Sequence, residues 1–304
     1  STLDRSSAAS DVYKRQKKSL IQYPAGSSNK VYVLPPEVTR IGYCAFYGAH
    51  NLVSVTLPAG LKEIGGWSFM YCGMPSITIP SMVEKMGNAP FSLCKNLSQI
   101  IVESGNTHYT SFDGVLFNKA KTFLVQYPNG NKRSTYDVPS GVTTIGYSAF
   151  WGNSALMSIT LPAKLTTIEN SAFEDCSGLK SIIVKSKNPP AVDGSSFNGI
   201  KLSEVTLYIP KGSRAAYATA PVWKEFKQIV ESTVANIVLP EARIYTTKGR
   251  LCLSLPHTVL TQVYNLSGGL VHTFRASAGD NSVPLAAGVY IIRAGEYTQK
   301  IIVN

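Results

Sequence analysis

A chain of 304 residues that is 44% hydrophobic and carries a formal charge of +11 has apolar material for a sizeable core, and its length suggests two domains. The charge is spread out, +7 over residues 17–231 and +3 over residues 232–304, whereas nucleic-acid binders gather lysine and arginine into one stripe with aromatics between them. The nearest approach is Lys119, Lys121, Lys132 and Arg133, so nucleic acid is set aside as a partner. No apolar run reaches membrane-spanning length.

Residues 1–16 lack the periodicity of everything after them. Within them Ser7–Gln16, SAASDVYKRQ, resembles a read-through translation of the transposase adapter used in preparing sequencing libraries. The segment is expected to be non-native, and the natural N-terminus, with any signal peptide, is expected to be missing.

From residue 17 a unit of 22 to 24 residues recurs. An aliphatic residue stands five before a phenylalanine in six places: Ile41 and Phe46, Ile64 and Phe69, Met86 and Phe91, Ile145 and Phe150, Ile168 and Phe173, Val192 and Phe197. Apolar strings follow, such as Leu52, Val55, Leu57 and Leu156, Ile159, Leu161, with the alternation of a strand buried on one side. Pro58, Pro80 and Pro162 close three of them, because a residue without a backbone donor stops pairing. Gly42, Gly65, Gly87 and Gly146 follow the aliphatic residue and are expected to serve the bend there. A single short strand cannot bury its apolar side alone, so neighbouring units must stack into a solenoid.

The strings IGYCAFYGAHNLVSVTLPAGLKEIGGWSF and IGYSAFWGNSALMSITLPAKLTTIENSAFEDCSGLKSI are similar to the BspA-like leucine-rich repeats of bacterial surface proteins. The resemblance covers about residues 17–231. It implies a mainly β, curved leucine-rich-repeat array that is secreted or held on the outer cell surface. It also implies adhesion, with a host extracellular or cell-surface protein or glycan, or another cell, as partner.

A longer repeat lies over the short one. SLIQYPAGSSNKVYVLPPEVTRIGYCAF parallels FLVQYPNGNKRSTYDVPSGVTTIGYSAF, placing Gln22 on Gln126 and Phe46 on Phe150 at an offset of 104. Before the second copy, Asp113-Gly114 ahead of Val115, Leu116 and Phe117 predicts a turn into a strand. The array is expected to end near Glu231, with a cap from about residue 208 in which Tyr217, Trp223 and Phe226 cover the last repeat. Residues 232–240 suggest a linker. Seven short strands are then predicted over residues 241–304 (243–246, 250–255, 259–265, 270–274, 282–285, 289–293 and 299–303), suggesting a small β-sandwich. Gly288, Val289, Tyr290 and Lys300 before the apolar tail carry a similarity to C-terminal sorting domains of the Por (type nine) secretion family, which implies a sorting or anchoring role.

The sequence offers little chemistry. Of five cysteines, Cys72, Cys94 and Cys176 each fall three after a repeat phenylalanine, where a small buried side chain is expected. There is no CxxC pair, and His50, His108, His257 and His272 have no ligand spacing, so neither metal nor cofactor is expected. No GxSxG elbow accompanies a histidine, and Glu63, Glu84, Glu169 and Glu174 occupy variable polar positions of the repeat, so no catalytic residue is assigned. Binding is better supplied. Residues flanking each central strand residue point away from the core: Ser54 and Thr56, Ser76 and Thr78, Gln99 and Ile101, Ser158 and Thr160, Ser181 and Ile183. Stacked, they form a mostly hydroxyl-bearing face, either a binding surface or simply residues suited to an exposed strand. Tyr47 and Trp151, each just after a repeat phenylalanine, are candidate anchors or pack on the adjacent connection. The expectation is a non-enzymatic binding protein. The alternatives are a surface hydrolase framed by the repeats and a structural spacer.

Overall fold

The computed structural model describes residues 18–232, 243–247, 249–255, 259–277, 279–295 and 297–303. The adapter-like segment and residues 233–240 of the expected linker lie outside them. The chain divides into two compact units, one of residues 1–132 and 136–234, the other of residues 133–135 and 235–304.

In the first unit each repeat contributes a two-residue strand at its aliphatic position and a longer strand after its phenylalanine. The short strands pair in parallel one period apart, Ile41 beside Ile64, Ile64 beside Met86, Ile145 beside Ile168 and Ile168 beside Val192. The longer strands form their own parallel ladders, including Ser76–Ile79 beside Gln99–Val102 and Ser158–Leu161 beside Ser181–Val184. Strands end just before Pro80 and Pro162, and the carbonyl of each proline accepts the amide three residues on, from Val83 and Leu165. The array is therefore a mainly β solenoid.

The six repeat phenylalanines are buried and stack ring on ring within two runs. Centroids are 4.7 Å apart for Phe46 and Phe69, 5.5 Å for Phe69 and Phe91, 5.0 Å for Phe150 and Phe173, and 5.2 Å for Phe173 and Phe197. Tyr23 and Tyr127 head the two runs by stacking on Phe46 and Phe150. To bring the ring inward and leave again, the chain passes through a left-handed residue on either side of the first five: Cys44 and Gly48, Trp67 and Tyr71, Ala89 and Leu93, Ser148 and Gly152, Ser171 and Asp175; Phe197 has one only after it, Gly199.

The glycines after the aliphatic residue do a different job from the one expected. None of the four has a positive φ. A Cβ on Gly65 would stand 2.5 Å from the Gly42 carbonyl carbon, and one on Gly87 would stand 2.2 Å from the Gly66 nitrogen. Gly65 and Gly87 are needed because adjacent rungs approach too closely there for any side chain, which neither periodicity nor turn chemistry discloses.

Between the runs, Tyr109–Phe112 and Val115–Asn118 form an antiparallel hairpin closed by Asp113 (φ 55°) and Gly114 (φ 78°), the turn anticipated from Asp-Gly. Its second strand pairs antiparallel with Phe123–Gln126, so the hairpin interrupts the parallel order. It also divides the core, Leu116 joining the first apolar cluster and Val115 and Phe117 the second. At the far end a six-residue helix, Arg214–Thr219, supplies buried Tyr217. Trp223 and Phe226 meet Phe197 edge-on at 6.3 and 6.0 Å, and the Trp223 indole donates to the Pro190 carbonyl at 2.7 Å.

The cysteine column is buried, as its spacing suggested, and it also ties rungs together. The thiols of Cys72, Cys94 and Cys176 donate to the carbonyls of Phe46, Phe69 and Phe150, at 3.1, 2.9 and 3.0 Å. Burial pushes the Cys94 and Cys176 thiols from 9.0 up to about 12.

In the second unit Arg243–Thr247, Arg250–Leu255 and Gly279–Pro284 form a three-stranded antiparallel sheet. Leu270–Ala276, Val259–Asn265, Gly288–Ala294 and Tyr297–Val303 form a four-stranded one in that order. Leu251 and Leu253 from the first sheet share one buried cluster with Val263, Ile292 and Val303 from the second.

Two outcomes follow from this packing. Truncating Phe69 or Phe173 to alanine should cost about 3–5 kcal/mol, while Glu174→Ala should cost less than about 0.5 kcal/mol; denaturant melts showing the reverse order would place the inward column elsewhere. The raised thiols also predict a pH dependence. Their stabilisation is complete below the unfolded value of 9.0 and is lost as pH climbs toward about 12, since the unfolded chain releases those protons first. A Cys94→Ala/Cys176→Ala variant should lose less stability than the parent between those limits, and parallel pH profiles would refute the assignment.

Candidate binding surfaces of the array

The first run presents an open outer face. Ser54 and Thr56 flank Val55 and are exposed, Ser76 is half-buried, and Thr78 and Gln99 are exposed. Parallel register sets Ser76 beside Gln99 and Thr78 beside Ile101, and Ser54 and Thr56 beside Val31 and Val33. The face is therefore less uniformly hydroxylic than expected, because exposed Val31, Val33 and Ile101 border its polar centre.

The second run differs. Ser158 and Thr160, expected near the centre of an exposed face, are only 8% and 6% exposed, and Ile183 only 2%. The Ser181 hydroxyl donates to Ser158 Oγ at 2.7 Å, so these hydroxyls are partly spent between rungs. The pleat determines which side of a sheet a residue takes. It does not determine what covers that side, so alternation alone overestimated their exposure.

Tyr47 and Trp151 occupy equivalent places in different settings. Tyr47 is 45% exposed and lies edge-on to Tyr71 at 5.6 Å. Trp151 is half-buried, and its indole faces the Asp175 carboxylate at 3.4 Å. His50 also lies 6.1 Å from Tyr71, and a second aromatic pair on the same rungs sets Tyr43, 64% exposed, 5.7 Å from half-buried Trp67. Trp67 and Tyr71 sit at φ 52° and 63°, a region that costs L-residues roughly 1–2 kcal/mol and that is notable for a bulky side chain.

Other polar groups of interest have local duties. Glu63 and Glu84 lie 3.3 and 3.7 Å from Arg40 and Lys62 on the adjacent rungs, exposed pairs worth at most about 1 kcal/mol each. Glu169 accepts the Tyr147 amide at 2.8 Å. Lys119 reaches the Asn106 carbonyl at 2.5 Å, and Lys121 lies 4.5 Å over the Phe112 ring. Among the described residues no three His, Cys, Asp or Glu side chains converge as a metal site would require, and no helix is long and apolar enough to cross a membrane. In the second unit Gly288 and Val289 are half-buried, Tyr290 is buried with its hydroxyl donating to the Ala286 carbonyl at 3.1 Å, and Lys300 is exposed opposite Ile291.

Residues 25–133 and 129–215 match the BspA type leucine rich repeat region, in six copies. The chain belongs to this family. No curated protein matches it in sequence. Among solved structures it is similar to a leucine rich cell surface protein from Faecalibacterium prausnitzii, with 23% identity over 67% of this chain and 60% of that one and a TM-score of 0.51. It is also similar to the pneumococcal vaccine antigen PcpA (21% identity, 68% and 69% covered, TM-score 0.48). A leucine-rich repeat protein from Eubacterium ventriosum matches at 22% identity, with 60% and 59% covered and a TM-score of 0.44. The chain thus spans less than two thirds of the Faecalibacterium and Eubacterium proteins, and at these identities the likeness is one of fold.

Superposing the BspA-type repeats on one another shows how the rest of the aromatic group was legible. Trp67 stands in the column of Cys44, Ala89, Ser148 and Ser171, and Tyr71 in that of Gly48, Leu93, Gly152 and Asp175. Aromatics in columns otherwise held mostly by small or polar residues are the signal, and it is visible only once the columns are known to be left-handed.

Proposed function

We propose that this BspA-type repeat protein is a non-enzymatic, secreted or cell-surface binding protein that engages an extracellular protein or glycan through the first run of its array. The observation that carries this reading is the two aromatic pairs Tyr43 with Trp67 and Tyr47 with Tyr71, in which Tyr43 and Tyr47 are exposed and Trp67 and Tyr71 half-buried beside them. Large rings at positions where other repeats mostly hold a small or polar residue fit a recognition surface. The exposed strand face of Ser54, Thr56, Ser76, Thr78 and Gln99 is the second element of the site. Surface location is further supported by the Faecalibacterium neighbour, named a cell surface protein. Residues 17–231 are the recognising domain in this reading. Residues 241–304 are a small β-sandwich that sorts or anchors, with Gly288, Val289, Tyr290 and Lys300 in its characteristic strands.

The full chain should be screened against immobilised extracellular-matrix proteins and glycans. For any ligand found, Trp67→Gly, Tyr47→Ala and Thr78→Asp should each weaken binding by about tenfold or more, the loss expected of buried anchors, with thermal unfolding unchanged. Unchanged affinity in all three would remove the site from the first run. For the C-terminal unit, residues 241–304 fused to a passenger with a normal export signal should carry it to the surface of a host that possesses the secretion system. A passenger left in the periplasm would overturn the sorting role.

A further inference from the structure

The 104-residue internal duplication lets one end of the array be compared with its own covered copy. In the second copy, segment Val125–Gly130 receives the last rung of the first run. Val125 packs on the first run's apolar cluster, and Gln126 is fully buried, its side-chain carbonyl accepting the Ser92 hydroxyl at 3.2 Å. The Gly130 amide donates to the Leu97 carbonyl at 2.7 Å, and a Cβ on Gly130 would meet the Asn96 backbone at 2.5 Å. Glycine is therefore obligatory there because a rung lies against it.

The matching segment of the first copy is Ile21–Gly26, and only Tyr23 of it is buried, stacked on Phe46. Ile21, equivalent to Val125, is 36% exposed, and Gln22 and Gly26, equivalent to Gln126 and Gly130, are exposed. Gly26 has no positive φ, and a Cβ on it would meet nothing within 4 Å. Its surroundings give no reason for glycine, whereas a rung laid as Asn96–Leu97 is laid on Gly130 would supply one. One departure is Ala25, which lacks the carboxamide with which Asn129 accepts the Leu93 amide at 2.8 Å.

We propose that Ile21–Gly26 is an acceptor face for a further BspA-type half-array, whose terminal rung docks as Ser92–Leu97 docks on Val125–Gly130. The partner is defined by its chemistry: a hydroxyl for the Gln22 amide group, as Ser92 supplies for Gln126, and a backbone carbonyl for the Gly26 amide, as Leu97 supplies for Gly130. This goes beyond ligand recognition by the outer face, since it concerns the end of the stack.

The face can be tested by repeating residues 18–121 directly ahead of Lys18, in place of residues 1–17, which preserves the 104-residue register. In this extended protein, maleimide labelling of the original Ile21 position in an Ile21→Cys variant, followed by peptide mass spectrometry, should slow at least about tenfold relative to the unextended chain. Gly26→Val should lower the unfolding temperature of the extended protein only. Equal labelling rates, or an added half that melts in a separate transition, would overturn the proposal. A check independent of the extension uses the chain itself: Gly130→Val should lower its unfolding temperature while Gly26→Val leaves it unchanged. An equal loss from both would give Gly26 a local role and sink the inference.

Discussion

Parallel backbone pairing and aromatic stacking must demand the same spacing in this array, and everything else in it depends on that agreement. Paired strands lie about 4.7–4.9 Å apart, and rings are attracted to one another at centroid separations of about 4.5–7 Å. The phenylalanine column, at 4.7 to 5.5 Å, lies within the ring range and at or slightly above the strand spacing, so one rung repeat serves both. A rung that drifted out of register would lose its strand pairs and its ring contacts together. Keeping that spacing has local costs. The chain turns in and out around five of the six rings through two left-handed residues, and no side chain fits where Gly65 and Gly87 pass the preceding rung.

A stack of this kind is stable in its middle and exposed at its ends, because each rung buries its apolar side only against neighbours. Three devices meet that problem here. Trp223 and Phe226 turn edge-on to Phe197 and end the aromatic column. Tyr23 and Tyr127 begin the two runs, each adding a ring to the stack. The hairpin about Asp113 and Gly114 replaces a rung and shares its side chains between two cores. Within the stack, the thiols of Cys72, Cys94 and Cys176 supply cross-rung hydrogen bonds, so the cysteine column contributes more than small apolar volume.

Because backbone pairing and the ring column provide the stability, the outward positions are free to vary, and the two runs use them differently. The first run keeps Thr56, Thr78 and Gln99 exposed and carries the aromatic group, while in the second Ser158, Thr160 and Ile183 are buried and Trp151 faces Asp175. A duplicated framework thus carries one open outer face and one covered face, and the recognition proposed for the protein is assigned to the open one.

The interval between an aliphatic residue and the phenylalanine five later was enough to define the rungs, their register and the inward column, and Asp113-Gly114 was enough to define the hairpin turn. These features were legible because each is decided within one repeat or between repeats one period apart, so the pattern of a short window contains the whole cause. Strand alternation likewise identified which residues flank the core-facing position. What it left undecided was whether those flanking residues meet solvent: Ser54 and Ser158 hold the same place in the repeat, and only the first is exposed. The role of Gly65, the thiol bonds between rungs and the meeting of Tyr43 with Trp67 and of Tyr47 with Tyr71 were also settled only in three dimensions. Each depends on the distance between backbones or on what lies over a surface, and a residue's identity and spacing do not encode either until the rungs are stacked.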